Sequence, residues 1–195
     1  IIRNQLSFLI KNKPYRLRTD ELAIPAYSDR ENNTWLCIRN ESDGSWSFHG
    51  PIGPPAQAMG LIQPGLAVWP DGELQMYFRT HQGRIWRSHS FDDGRTWEPA
   101  TETELPNPDS GIDTQVLPDG RLALVYNPTE KGRTPLWLRI SEDRGRTWGK
   151  YYVLEDTEGE YSYPAVVLDE EGILHITYTH KRQRIRHVWV DIDRL

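Results

Sequence analysis

Apolar residues in this chain fall into short runs broken by Gly, Pro and Asp-Gly, and no stretch carries them at helical spacing. In Leu174-His175-Ile176 they alternate with the period of two that puts successive side chains on opposite faces of a strand. The clearest series opens with a strand over Ile62 to Trp69, a tight turn at Pro70-Asp71-Gly72 and a second strand over Glu73 to Arg79. A third strand over Arg84 to Ser90 and a short fourth starting near Glu98 complete it. The same order returns as Thr114 to Leu117, Pro118-Asp119-Gly120, Arg121 to Tyr126, Pro135 to Ser141 and Tyr151 to Glu155. Before it come weaker strands at Lys13 to Leu17, Leu22 to Tyr27, Thr34 to Arg39 and Ser47 to Ile52. After it come Ser162 to Leu168, Ile173 to Thr179 and Ile185 to Asp191.

Both clear series close their third strand with the same turn. Ser90-Phe91-Asp92-Asp93-Gly94-Arg95-Thr96-Trp97 recurs 51 residues later as Ser141-Glu142-Asp143-Arg144-Gly145-Arg146-Thr147-Trp148. In this Asp box the carboxylate can accept from the N–H groups of its own turn, Gly supplies a positive φ and Trp packs over the hairpin. A worn copy, Glu41-Ser42-Asp43-Gly44-Ser45-Trp46, stands one interval earlier. The box residues Ser90, Asp92, Gly94, Trp97, Ser141, Asp143, Gly145 and Trp148 therefore read as structural. Four-stranded units at this period predict an all-β propeller with about four blades, near 12–55, 61–105, 111–156 and 160–195. The last unit lacks a fourth strand, which Leu6 to Ile10 supplies if the ring closes, unless that strand belongs to a preceding blade.

Composition narrows the partners. Eight Trp and nine Tyr, with many Gly and Pro, suit short strands. A net charge of −5 argues against nucleic acid as a general partner. No run is long enough to span a membrane, and Ile1 to Ile10 lacks the shape of a signal peptide. The compartment stays open; a signal upstream would make the protein secreted or periplasmic. The single Cys37 allows no internal disulfide and reads as a small buried residue. The six histidines show no metal-ligand spacing, and nothing calls for a cofactor. The basic run Lys181 to His187 reads as a hairpin turn, or as a rim for an anionic glycan.

Antiparallel order places the start of strand one, the end of strand two and the start of strand three at one end of each blade, opposite the boxes. That end collects Gln63, Arg79, His81 and Arg84 from one blade, and Asp113, Tyr126, Asn127 and Arg133 from the next. The last blade adds Tyr161, Tyr163, Thr179, His180, Arg182 and Arg184, and the first adds Tyr27, Ser28 and Asp29. Arginines converging from independent blades suggest an anion site, since guanidinium binds carboxylate bidentately.

Between the boxes stand Gln63-Pro64, Pro70-Asp71-Gly72, Pro106-Asn107-Pro108-Asp109-Ser110-Gly111, Asn127, Arg133 and Glu160-Tyr161-Ser162-Tyr163-Pro164. With both boxes, this order resembles the sialidase-like superfamily (neuraminidase, BNR or Asp-box repeat) from about Lys13 to Asp191. The resemblance implies the C-terminal part of a six-bladed propeller that acts on a terminal acidic sugar. It implies a substrate-binding role for Arg79 and Arg133, which match two members of an arginine triad; Asp113, Asn127, His180 and Arg184 join them as substrate-binding candidates by their place at the same end of the blades. Tyr161 matches the nucleophile, and Gln63 stands where such enzymes place the Glu that activates it. An amide cannot take up the phenol proton as a carboxylate does. The first arginine of the triad and the acid/base Asp have no match here.

The chain therefore reads as a sialidase-like exo-acting glycoside hydrolase, or a fragment of one. The alternative is a non-catalytic carbohydrate-binding or assembly propeller. Missing blades could come from the rest of a longer enzyme or from self-association, since bare blade edges invite pairing.

Overall fold

The computed structural model describes residues 8–53 and 60–195, and these are almost wholly β. Three four-stranded sheets and one three-stranded sheet follow one another along the chain. The first holds β1 (Tyr15–Arg16), β2 (Leu22–Ser28), β3 (Asn33–Arg39) and β4 (Trp46–Ile52); the second β5 (Ile62–Val68), β6 (Leu74–Arg79), β7 (Arg84–Ser90) and β8 (Thr101–Pro106). The third holds β9 (Asp113–Val116), β10 (Leu122–Tyr126), β11 (Leu136–Ser141) and β12 (Tyr151–Glu155). The fourth holds β13 (Tyr161–Leu168), β14 (Ile173–His180) and β15 (Arg184–Asp191). Strand order within each sheet follows the chain, every pairing is antiparallel, and the sheets are the blades of a β-propeller.

Three differences from the predicted strands have local causes. Strand β8 starts at Thr101 rather than near Glu98, although the Glu98 N–H still bonds to the His89 carbonyl (2.8 Å). Pro99 follows and has no N–H to continue the ladder. The predicted closing strand Leu6 to Ile10 falls partly outside the described residues. Its Leu9 exchanges both backbone bonds with Tyr27 (2.8 and 3.0 Å) and so extends the first blade, and among the described residues the fourth blade has three strands. After β15 the chain closes in one 3₁₀ turn, Ile192–Arg194, capped by Asp191.

Blades pack face to face through apolar layers. Leu138, Ile140, Leu136 and Val125 of the third meet Val166, Leu174, Ile176 and Tyr178 of the fourth. Leu36 and Ile38 of the first meet Leu66, Leu74 and Met76 of the second. Each such side chain is worth roughly 1.5–3 kcal/mol of burial. The other face of the fourth sheet leaves Val167, Ile185 and Trp189 exposed.

The Asp boxes lock these layers at one end. Asp92 accepts from Ser90 Oγ (2.8 Å), the Thr96 N–H (2.9 Å) and Thr96 Oγ1 (2.6 Å), and Asp143 repeats the set with Ser141 and Thr147. Gly94 and Gly145 take φ of +82° and +76°. A Cβ on Gly145 would lie 2.1 Å from the Tyr77 hydroxyl, and one on Gly94 2.3 Å from Leu36 Cδ2, so each box presses on the preceding blade. Trp148 meets Tyr77 edge to face at 6.2 Å.

Candidate functional site

At the end away from the boxes, two inner strands carry the same irregularity. In β5 the register passes from Ile62 opposite Arg79 to Gly65 opposite Tyr77; in β13 it passes from Ser162 opposite Thr179 to Ala165 opposite Thr177. The bulged residues are Gln63 and Tyr163, each followed by proline, with left-handed φ of 51° and 52°. A bulge takes one residue out of the in-out alternation and re-aims its side chain. Tyr27, Arg79, Asn127 and Thr179 occupy matching places at the ends, or just past the ends, of the four second strands.

Arg79 is nearly buried and held on two sides. Its Nε donates to Asp109 Oδ1 (2.7 Å) and its Nη1 to Gln63 Oε1 (2.9 Å). Asp109 also meets His81 Nδ1 (2.7 Å), and the Gln63 amide reaches the Tyr27 hydroxyl at 3.4 Å. Gln63 thus fixes an arginine between two blades.

Arg133 forms the second cluster. Its guanidinium lies 5.1 Å above the Tyr163 ring, and its Nη1 meets Glu160 Oε1 at 3.2 Å. Glu160 also accepts from Arg182 Nε (2.6 Å) and Ser162 Oγ (3.3 Å). Burial works against the Glu160 charge, but the Arg182 hydrogen bond and the charges of Arg133 and Arg182 outweigh it and hold the carboxyl below its usual range. The clusters meet at Gly111, where a Cβ would lie 3.1 Å from Tyr163 Cδ1, 3.2 Å from Lys11 Cε and 3.4 Å from Gln63 Oε1. Three guanidinium groups, those of Arg79, Arg133 and Arg182, stand against the carboxylates Asp109 and Glu160, so the face has positive charge to offer an anion.

Several expected residues do not reach this face. Tyr161 is fully buried in the apolar layer between the third and fourth blades, its hydroxyl 2.7 Å from Thr157 Oγ1. His180 packs edge-on against it at 5.2 Å, 3.7 Å from Glu155. Asp113 is buried as a strand tie, accepting from the N–H groups of Thr114 (2.9 Å) and Val166 (2.8 Å) and from Lys13 at 3.4 Å. Asn127 has the place of Arg79 in its blade but is spent on Ser110 and the carbonyls of Pro135 and Tyr161. Arg184, by contrast, is exposed at the start of β15, on the hairpin that carries Arg182.

Reading the residues missed the part played by Tyr163, Asp109 and Lys11. A signal for Tyr163 was present: Gln63-Pro64 and Tyr163-Pro164 lie 100 residues apart, close to two blades.

Solved structures share this architecture at low identity. A point mutant of the NanB sialidase from Streptococcus pneumoniae matches with TM-score 0.79 and 17% identity over 92% of this chain and 30% of its own. The intramolecular trans-sialidase from Ruminococcus gnavus, in complex with oseltamivir carboxylate, matches with TM-score 0.76 and 18% identity over 93% and 43%. An ulvan lyase, a polysaccharide lyase bound to a saccharide of glucuronate and sulfated rhamnose, matches with TM-score 0.66 and 12% identity over 98% and 56%. The chain spans about a third to a half of these proteins' lengths. A search of curated proteins finds no match. The model of the BNR repeat-like domain matches residues 2–176, nearly the whole chain with both boxes, and the chain belongs to that family.

Proposed function

We propose that the face carrying Arg79 and Arg133 recognises the carboxylate of a terminal acidic sugar. One observation carries this reading: guanidinium groups from neighbouring blades stand beside the bulged residues Gln63 and Tyr163, which their backbones turn out of the sheets. Asp109 and Glu160 hold the arginines in place, and the surplus of cations leaves N–H groups for a ligand carboxylate. Proteins of this architecture include a trans-sialidase in complex with oseltamivir carboxylate and a lyase bound to a glucuronate saccharide, and a carboxylate is what those two ligands share.

A second reading, a sialidase-like glycoside hydrolase, is favoured by Tyr163. Its ring is about half exposed and lies under Arg133, where a phenol nucleophile can meet a sugar held by the arginines. A base for that phenol is the missing element. Gln63 cannot accept a proton, Asp109 is shared by Arg79 and His81, and Glu160 by Arg133 and Arg182. Binding without fast turnover is therefore the function this chain's own residues support best.

Calorimetric titration with N-acetylneuraminate, glucuronate and neutral galactose tests the proposal. At least one acid should bind and galactose should not, and Arg79→Met should weaken binding at least tenfold. Equal binding of acid and neutral sugars, or an unchanged affinity in the variant, would remove the anion-site reading.

A further inference from the structure

The bulges that present Gln63 and Tyr163 create a problem for the backbone. A residue that leaves the ladder strands neighbouring carbonyls, and buried carbonyls without donors are costly. At both bulges the carbonyl of the following proline is met by the segment before β1, which crosses the inner strands of the other three blades. Asn12 Nδ2 donates to Pro64 O (2.6 Å) and to Ile112 O (3.2 Å). Lys11 Nζ donates to Pro164 O (2.6 Å) and to Ile112 O (2.8 Å). Lys13 adds a bond to Thr114 O (2.9 Å). Adjacent residues of one segment thus bind the backbone beside Gln63, beside Tyr163 and on the inner strand between them.

The geometry points to Lys11 and Asn12 as positioning residues: a clasp that fixes the spacing and aim of Gln63 and Tyr163, so that ligand affinity depends on the Lys11 ammonium. This inference rests on the proposed acidic-sugar site. A merely structural lysine would affect melting alone; a clasp sets how well the face fits its ligand. An ammonium donates to carbonyls more strongly than a neutral amine, so losing its proton loosens the Tyr163 bulge before anything unfolds. Burial pushes Lys11 down to about 8, against the pull of Asp113 and with the repulsion of Lys13 and Arg79. Facing Lys11 are therefore Asp113 from β9, Arg79 from β6, Tyr163 from β13, Gln63 from β5 and Lys13 from its own segment.

The affinity of the unmodified full chain for N-acetylneuraminate and glucuronate, measured from pH 6 to 9.5, tests this without a mutation. The sugar carboxylates stay ionised throughout, so affinity should fall several-fold as the pH passes about 8. Lys11→Met should bind weakly, at about a tenth of normal affinity, with a flat profile. Lys11→Arg, which keeps its charge in this range, should bind near normally with the fall abolished. Binding that is flat in the unmodified chain, or a fall that persists in Lys11→Arg, overturns the clasp while leaving the acidic-sugar reading intact. If the unmodified chain binds neither acid at any pH, both fall.

Discussion

Tyr161 and Tyr163 are two residues apart and differ in almost everything a phenol needs in order to react. A regular strand would put both on one face, but the bulge at Tyr163 breaks the alternation, burying one and exposing the other. Tyr161→Phe should cost about 1 kcal/mol of stability, read by chemical denaturation, because it removes the part-buried bond to Thr157. Tyr163→Phe should leave stability within about 0.5 kcal/mol, as at most exposed positions. If the chain releases a fluorogenic aglycone from an acidic sugar, Tyr163→Phe should abolish release and Tyr161→Phe should not; the reverse pattern would return the nucleophile's role to Tyr161. The sequence lists both tyrosines in one pentapeptide, and nothing short of the pairing register separates them. Asp113 and Asn127 misled for a related reason: position at the strand end is legible, but whether the side chain turns to solvent or to a neighbouring blade's backbone is not.

At the scale of the element, most of the strands were legible because their turns are self-contained. Asp-Gly hairpins and Asp boxes satisfy their own backbone groups, so their residues announce them regardless of what packs nearby. In the box at Ser141 to Trp148, the Thr147 hydroxyl and N–H, with Ser141, stabilise the ionised Asp143 and hold its carboxyl down to about 2. A depressed carboxylate stabilises fully above the ordinary aspartate range of about 4 and loses that effect as the pH falls through its folded value. Stability should therefore drop between about pH 4 and pH 2, and Asp143→Asn should flatten that part of the curve. An unaltered acid limb in the variant would assign the drop to other carboxylates. Strand β8 shows the converse: the box leads on through Glu98 as predicted, but the strand waits for the residues beyond Pro99.

For the whole molecule, the decisive contacts run between blades and leave little trace in a single sequence. Gly145 serves its own turn through a positive φ, and serves the assembly because the Tyr77 hydroxyl of the preceding blade occupies the space a methyl would need. Gly145→Ala should cost about 2–4 kcal/mol, combining left-handed strain with overpacking. Combining it with Tyr77→Phe should recover part of that loss in a double-mutant cycle, whereas strictly additive losses would confine the glycine's role to its turn. The clasp from Lys11 to Lys13 belongs to the same class of contact. Its partners lie 52 to 153 residues away, beyond anything spacing or composition can indicate.

The paired bulges also bear on how such a face can change. A side chain lifted out of the in-out alternation takes no part in the apolar layer beneath it, and the carbonyls around it are satisfied by Asn12 and Lys11 rather than by its own atoms. Residues 63 and 163 therefore behave as sockets. What is plugged into them can be exchanged, an amide for a carboxylate or a phenol for a smaller polar group, at little expense to the lattice that holds them. The chemistry of the face is then set by the contents of two sockets on an unchanged scaffold.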